Sequence, residues 1–247
     1  MRKWATYAEQ HRSKCAEGVM HILQDRDRLP ALDALQFNAS GYPSAQPVSD
    51  KGGRGGAWFV ACAAGPAVLK HYLRGGRAAL VSSDSYVYLG EGRARSFAEF
   101  RLLKQLRSRD LPVPAPLAAF CLRKHWHYRA ALLTERIAGA RSFLELVRQG
   151  DAPWQQAGQT LARFHLAGAQ HSDLNANNLL IDAASQVHLI DWDKGRLHQG
   201  PGPWCAGVLA RLQRSLKKEL GAQYAQLSDR GWTTLETAYK GAIPWHG

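Results

Sequence analysis

The residues best suited to chemistry sit in one short stretch, His171-Ser-Asp-Leu-Asn-Ala-Asn-Asn178, followed by Leu179-Leu-Ile-Asp182. A further carboxylate, Asp191, closes the mostly apolar run Val187-His-Leu-Ile190, thirteen residues after Asn178. A carboxylate can orient a hydroxyl and take its proton. An amide oxygen and a second carboxylate are hard donors of the kind magnesium prefers. These are the groups that phosphoryl transfer to a hydroxyl asks of a protein: a base beside the attacking oxygen, and oxygen ligands that hold a cation against the β- and γ-phosphates. Asp173 is the candidate base, and Asn178 and Asp191 are the candidate metal ligands. Taken singly, each is as readily a turn cap or a strand end. The order and spacing of all of them carry the reading.

That order matches the protein-kinase signature H-R-D-L-x-x-x-N followed by D-F-G. Upstream, Lys70 lies in Ala67-Val-Leu-Lys70, where an ammonium would bridge the α- and β-phosphates. Glu99, in Ser96-Phe-Ala-Glu99, is the expected partner of Lys70, with Arg95 four residues back as its alternative. Lys51-Gly-Gly-Arg-Gly-Gly56 is a glycine-rich turn whose Gly53 and Gly55 would let backbone N–H groups approach phosphate. Trp58 stands where a third glycine would be. Thr134-Glu135-Arg136-Ile137 falls where two lobes should join, and the backbones of Glu135 and Ile137 are the candidate adenine partners. There are departures as well. Ser172 replaces the Arg that reads a phosphorylated loop, Asn175 replaces the lysine two places after the base, Asp193 replaces the Gly of D-F-G, and no A-P-E follows. These losses favour a small-molecule or lipid-sugar acceptor over a protein.

The elements that must position these groups read as two sets. Ala57–Cys62 and Ala67–Leu73 read as strands around a turn at Ala64-Gly65-Pro66. Arg95–Arg107 reads as a helix from Phe97, Phe100, Leu103 and Leu106. Strands are expected at Pro116–Phe120 and Arg129–Ile137. Helices are expected at Ser142–Arg148, Trp154–Leu166, Trp204–Leu220 and Trp232–Tyr239, with a small hairpin from Asn178 to Asp191. The first forty residues show only weak helical patterning. The expectation is an α+β, two-lobed protein-kinase-like fold: a small β-rich lobe with one long helix over residues 1–136, and a mainly helical lobe over 137–247. A ligand is expected in the cleft between them.

The chain has 247 residues, 45% of them hydrophobic, and a formal charge of +12. Such a balance suits an anionic partner. The four cysteines form no C-x-x-C pair, which argues against a zinc site or disulfide framework. The longest uncharged, mostly apolar run, Ala57 to Leu69, is shorter than the ~20 residues a membrane helix needs. Membrane contact is therefore expected to be peripheral.

The stretches Lys51-Gly-Gly-Arg-Gly55, His71-Tyr-Leu-Arg-Gly-Gly76, Arg95-Ser-Phe-Ala-Glu-Phe100, Leu111-Pro-Val-Pro114, Leu133-Thr-Glu135, His171-Ser-Asp-Leu-Asn-Ala176 and Leu212-Gln-Arg-Ser-Leu-Lys-Lys-Glu219 resemble the bacterial lipopolysaccharide kinase family. The resemblance runs from about Lys51 to Tyr239. It implies ATP and Mg2+ as cofactors and the 4-hydroxyl of the Kdo (3-deoxy-D-manno-octulosonic acid) sugar of Kdo-lipid IVA as acceptor. It also implies a peripheral place on the cytoplasmic face of the inner membrane, with no nucleic acid partner. Arg74, Arg77, Arg214, Lys217 and Lys218 are then candidates to bind the acceptor's carboxylate and phosphates. A heptose kinase of the same family, an aminoglycoside-type phosphotransferase and a basic RNA-binding protein without catalysis are the competing readings. Oligomeric state is not legible.

Overall fold

The structure, a computed structural model, describes residues 8–15, 18–32, 34–48, 56–72, 86–88 and 90–243. Packing divides the chain into two compact units: Met1–Lys104 with Ala115–Arg136, and Gln105–Pro114 with Ile137–Gly247. The architecture is mixed α+β, with a β-rich N-terminal sheet and a helical C-terminal region.

The first unit is built on an eight-stranded sheet. Its strands are β1 (Ala8–Cys15), β2 (Gly18–Asp25), β3 (Gln46–Pro47), β4 (Ala57–Cys62), β5 (Gly65–His71), β6 (Tyr86–Val87), β7 (Pro116–Lys124) and β8 (His127–Glu135). The order is β1-β2-β7-β8-β5-β4-β3, with β6 also paired to β8. Every pairing is antiparallel. The register sets Lys70 of β5 between Ala57 of β4 and Leu132 of β8, so the lysine stands on a central strand. Met20, Ile22, Leu69, Phe120 and Leu133 form much of the core. Helix α1 (Arg95–Arg107) buries Phe97, Phe100, Leu103 and Leu106 at the expected helical spacing. Ser96 donates its hydroxyl to the Phe120 carbonyl of β7 at 2.7 Å, which ties the helix start to the sheet and helps place Glu99.

Two expectations need correcting. The described residues among the first forty hold no α-helix. They supply the hairpin β1–β2, and β2 pairs with β7. Strand β2 is buried along Met20–Asp25, including His21, Gln24 and Asp25, so the apolar–polar alternation that marks a half-buried strand is missing. The last helix also starts earlier than Trp232.

In the second unit, β9 (Arg141–Ser142), β11 (Leu179–Ile181) and β12 (Val187–Leu189) form a three-stranded sheet, and β10 (Ala169–Gln170) pairs with β13 (Arg196–Leu197). The helices are α2 (Phe143–Gln149), α3 (Trp154–Leu166), α4 (Trp204–Leu220) and α5 (Tyr224–Ala242). Ser142 caps α2 by accepting the Glu145 amide at 3.1 Å. Helices α3 and α5 approach closely: a Cβ on Gly158 would lie 2.3 Å from the Leu235 carbonyl oxygen, and one on Gly231 would lie 2.1 Å from the Trp154 indole. The connector Gln105–Pro114 is held within this unit. Arg163 donates to the Asp110 carbonyl at 2.9 Å, and the Leu189 amide donates to the Pro112 carbonyl at 3.0 Å.

Candidate active site

Lys70, on a strand whose side chains alternate between faces, reaches helix α1. Its Nζ lies 2.8 and 2.7 Å from the two carboxylate oxygens of Glu99. The Glu99 side chain is 3% exposed and that of Lys70 is 23% exposed, so protein groups take the place of water around the carboxylate. A further partner is Tyr72, which the sequence reading left without a role. Its hydroxyl donates to Glu99 at 2.6 Å, and its ring sits 4.7 Å from the Lys70 ammonium. Tyr72 is two residues after Lys70 on the same face of the chain, and that period-2 spacing was the available signal. Arg95, the alternative partner, stacks its guanidinium over the rings of Tyr72 and Tyr86.

The other groups lie in the second unit, on the loop between β10 and β11 and just after β12. His171 is buried. Its Nδ1 accepts the Asp173 amide at 3.2 Å, so Nε2 carries the proton and donates to the Ile190 carbonyl at 2.9 Å. One imidazole thus ties the loop of Asp173 to the residue before Asp191. Trp192, in the place of the D-F-G Phe, is fully buried and packs its ring 4.8 Å from His171 and 5.3 Å from Phe164. Ser172 donates to the Asp193 carbonyl, so two of the departures from the protein-kinase pattern bond to each other.

Asn178 is nearly buried and donates Nδ2 to the Asp173 carbonyl at 3.0 Å. Its backbone carbonyl accepts the Ile190 amide at 3.0 Å, a second link between the two segments. Asn175 donates to the same Asp173 carbonyl at 3.2 Å and accepts the Asn177 amide at 3.0 Å. The Asp173 carboxylate itself is 68% exposed and takes a bond from Arg211 of α4 at 3.2 Å. Asp191 is exposed, with a left-handed φ of 62°, a conformation that non-glycine residues visit rarely and that concentrates at functional sites.

Among the described residues no three His, Cys, Asp or Glu side chains gather as a metal cluster. An amide and a carboxylate suffice for magnesium, which keeps waters and takes phosphate oxygens as its remaining ligands. The chemistry of Asn178 is compatible with that role, because Nδ2 is spent on the Asp173 carbonyl and Oδ1 is the oxygen it could offer a cation.

At the expected hinge, the Glu135 amide donates to Ala115 at 2.8 Å and the Arg136 amide to Pro66 at 3.0 Å. The Glu135 carboxylate pairs with Arg28 at 2.9 Å. Arg214, Lys217 and Lys218 are exposed on α4, and Lys217 lies 5.4 Å from the Tyr224 ring. Gly53, Gly55, Arg74 and Arg77 lie outside the described residues.

An α+β chain with this loop order and this lysine–glutamate pair has the parts of a phosphotransferase acting on a hydroxyl. A family model described as the lipopolysaccharide kinase (Kdo/WaaP) family matches residues 43–239. The chain is 50% identical over 226 residues to a 3-deoxy-D-manno-octulosonic acid kinase of Xanthomonas axonopodis pv. citri, covering 90% of each chain. It is 46% identical over 230 residues to the enzyme so named in Stenotrophomonas maltophilia, covering 91% of this chain and 92% of the relative. The chain belongs to the lipopolysaccharide kinase (Kdo/WaaP) family and is a phosphotransferase.

Proposed function

We propose that the protein transfers the γ-phosphate of ATP, with Mg2+, to the 4-hydroxyl of Kdo on Kdo-lipid IVA during lipopolysaccharide biosynthesis. The observation that carries this is 50% identity over 90% of both chains to an enzyme named for that sugar. On this reading the lobes of a protein-kinase-like fold span residues 1–136 and 137–247, with the connector Gln105–Pro114 packed into the second. Lys70, held by Glu99, binds the α- and β-phosphates, while Asn178 and Asp191 hold the metal. Magnesium, when bound, neutralises charge on the β- and γ-phosphates. Asp173 orients the sugar hydroxyl and accepts its proton. The hydroxyl oxygen bonds to the γ-phosphorus as the bond to the bridging oxygen breaks, and ADP leaves with that electron pair. The glycines Gly53 and Gly55 cover the phosphates, an assignment that rests on sequence alone. The Glu135 carbonyl and Ile137 amide hold the adenine, and Arg74, Arg77, Arg214, Lys217 and Lys218 bind the anionic glycolipid.

No helix among the described residues is long and apolar enough to cross a membrane. A basic chain with a lipid-linked anionic acceptor accords with a peripheral place on the cytoplasmic face of the inner membrane. A competition assay tests the acceptor. Kdo-lipid IVA and a heptose-bearing core are offered together with ATP and Mg2+, and the phosphorylated product is identified by mass. Phosphate on Kdo is expected, and phosphate on heptose alone would overturn the assignment.

A further inference from the structure

Helix α4 presents Arg211, Arg214 and Lys218 at spacings of three and four, so they share one face. The apolar stripe Cys205, Val208, Leu212, Leu216 and Leu220 is buried on the other side. The helix is joined to the catalytic loop at two points. The Ser215 hydroxyl accepts the Ala176 amide at 3.2 Å, and Arg211 Nη1 lies 3.2 Å from Asp173 Oδ1. Both side chains of that ion pair are largely exposed, 47% for Arg211 and 68% for Asp173. A pair open to water adds little stability and is readily exchanged for another anion.

A hydroxyl that gives its proton to Asp173 must lie against that carboxylate, and so within reach of the Arg211 guanidinium. An ulosonic acid acceptor brings a carboxylate of its own. Guanidinium matches a carboxylate in a two-point fork that an ammonium cannot reproduce.

We infer that Arg211 is the residue that reads the acceptor's carboxylate: it holds Asp173 until the acceptor arrives, then exchanges Asp173 for the sugar carboxylate and leaves the base open to the hydroxyl. This rests on the acceptor assignment made above. Arg214 and Lys218 continue the positive face toward further anionic groups of the same molecule. An acceptor with a hydroxyl but no carboxylate leaves Arg211 on Asp173, and selection by charge is thereby coupled to release of the base.

The test compares kcat/KM for Kdo-lipid IVA and for its carboxyl methyl ester, in wild type, Arg211→Gln and Arg211→Lys. Wild type should prefer the acid by roughly 10- to 100-fold, the worth of one charge-assisted bond. In Arg211→Gln the acid should fall to the level of the ester, with the ester not slowed and the KM for ATP unmoved. Arg211→Lys should keep part of the preference. The inference is overturned if wild type shows no preference, if Arg211→Gln keeps the wild-type ratio, or if it slows acid and ester equally, as a merely structural role would. A wild type inactive on the acid would instead overturn the acceptor assignment, and the inference with it.

Discussion

The side-chain amide of Asn178 donates to the backbone carbonyl of Asp173 at 3.0 Å, so the candidate metal ligand and the candidate base are positioned by one bond. Asn178→Asp keeps an oxygen for the metal but sets an acceptor against the Asp173 carbonyl. Supporting contacts around metal ligands typically change affinity or activity by roughly 10- to 100-fold. Turnover should fall by about that factor, and more magnesium should be needed for half-maximal rate. A magnesium titration of initial rates reads both effects, and an unchanged curve would dissociate Asn178 from the metal.

Asp191→Ala should remove metal-dependent nucleotide binding. Calorimetry with a non-hydrolysable ATP analogue should show wild type binding more tightly with Mg2+ than without. In the variant the two curves should coincide. A magnesium effect that survived intact would move the principal ligand elsewhere.

Lys70→Met takes from the buried Glu99 carboxylate the ammonium that meets both of its oxygens. Breaking such a pair costs about 3–5 kcal/mol. Adding Glu99→Gln should recover much of the stability, because the buried carboxylate charge is then gone, while turnover stays lost for want of the ammonium. Urea unfolding and activity on the same samples separate the two effects. Recovery of activity in the double variant would contradict the phosphate-binding role.

Burial lowers the His165 imidazole from its ordinary value of 6.5 to about 4. The ring is 2% exposed, with Nδ1 2.6 Å from the Tyr239 hydroxyl and the Trp204 ring 5.0 Å away. Between about pH 6.5 and pH 4 the unfolded chain binds a proton that the folded chain refuses. Stability from this group is therefore full above pH 6.5 and falls as the pH falls toward 4, by about 3 kcal/mol in total. Denaturant midpoints measured from pH 7.5 to 5 should slope downward in wild type, and the slope should flatten in His165→Asn. Equal slopes would place the titrating group elsewhere.

Much of this scaffold was legible from periodicity. Helices α1, α3 and α4 run between the residues the apolar spacing marks, and β4 does the same. What was missed has physical causes. Strand β2 buries His21, Gln24 and Asp25 beside its apolar residues, which erases alternation. Helix α5 begins at Tyr224, but its first turns are polar and lead to Gly231, which looks like a boundary. That glycine is there because Trp154 of α3 occupies the space a side chain would take. The order of Asp173, Asn178 and Asp191 was readable because loop chemistry is local in sequence. Tyr72 and Arg211 were not assigned, because their roles come from Glu99, 27 residues away, and Asp173, 38 residues away. No local pattern reports which carboxylate a distant strand or helix will meet.

The most direct measurement is transfer of γ-labelled phosphate from ATP to Kdo-lipid IVA with Mg2+, with Asp173→Asn run beside wild type and the product located by mass spectrometry. Wild type should place label on the Kdo 4-hydroxyl, and the variant should be slower by roughly 10²- to 10⁴-fold while still binding nucleotide. Label absent from the lipid with wild type, or a wild-type rate in Asp173→Asn, would contradict the account.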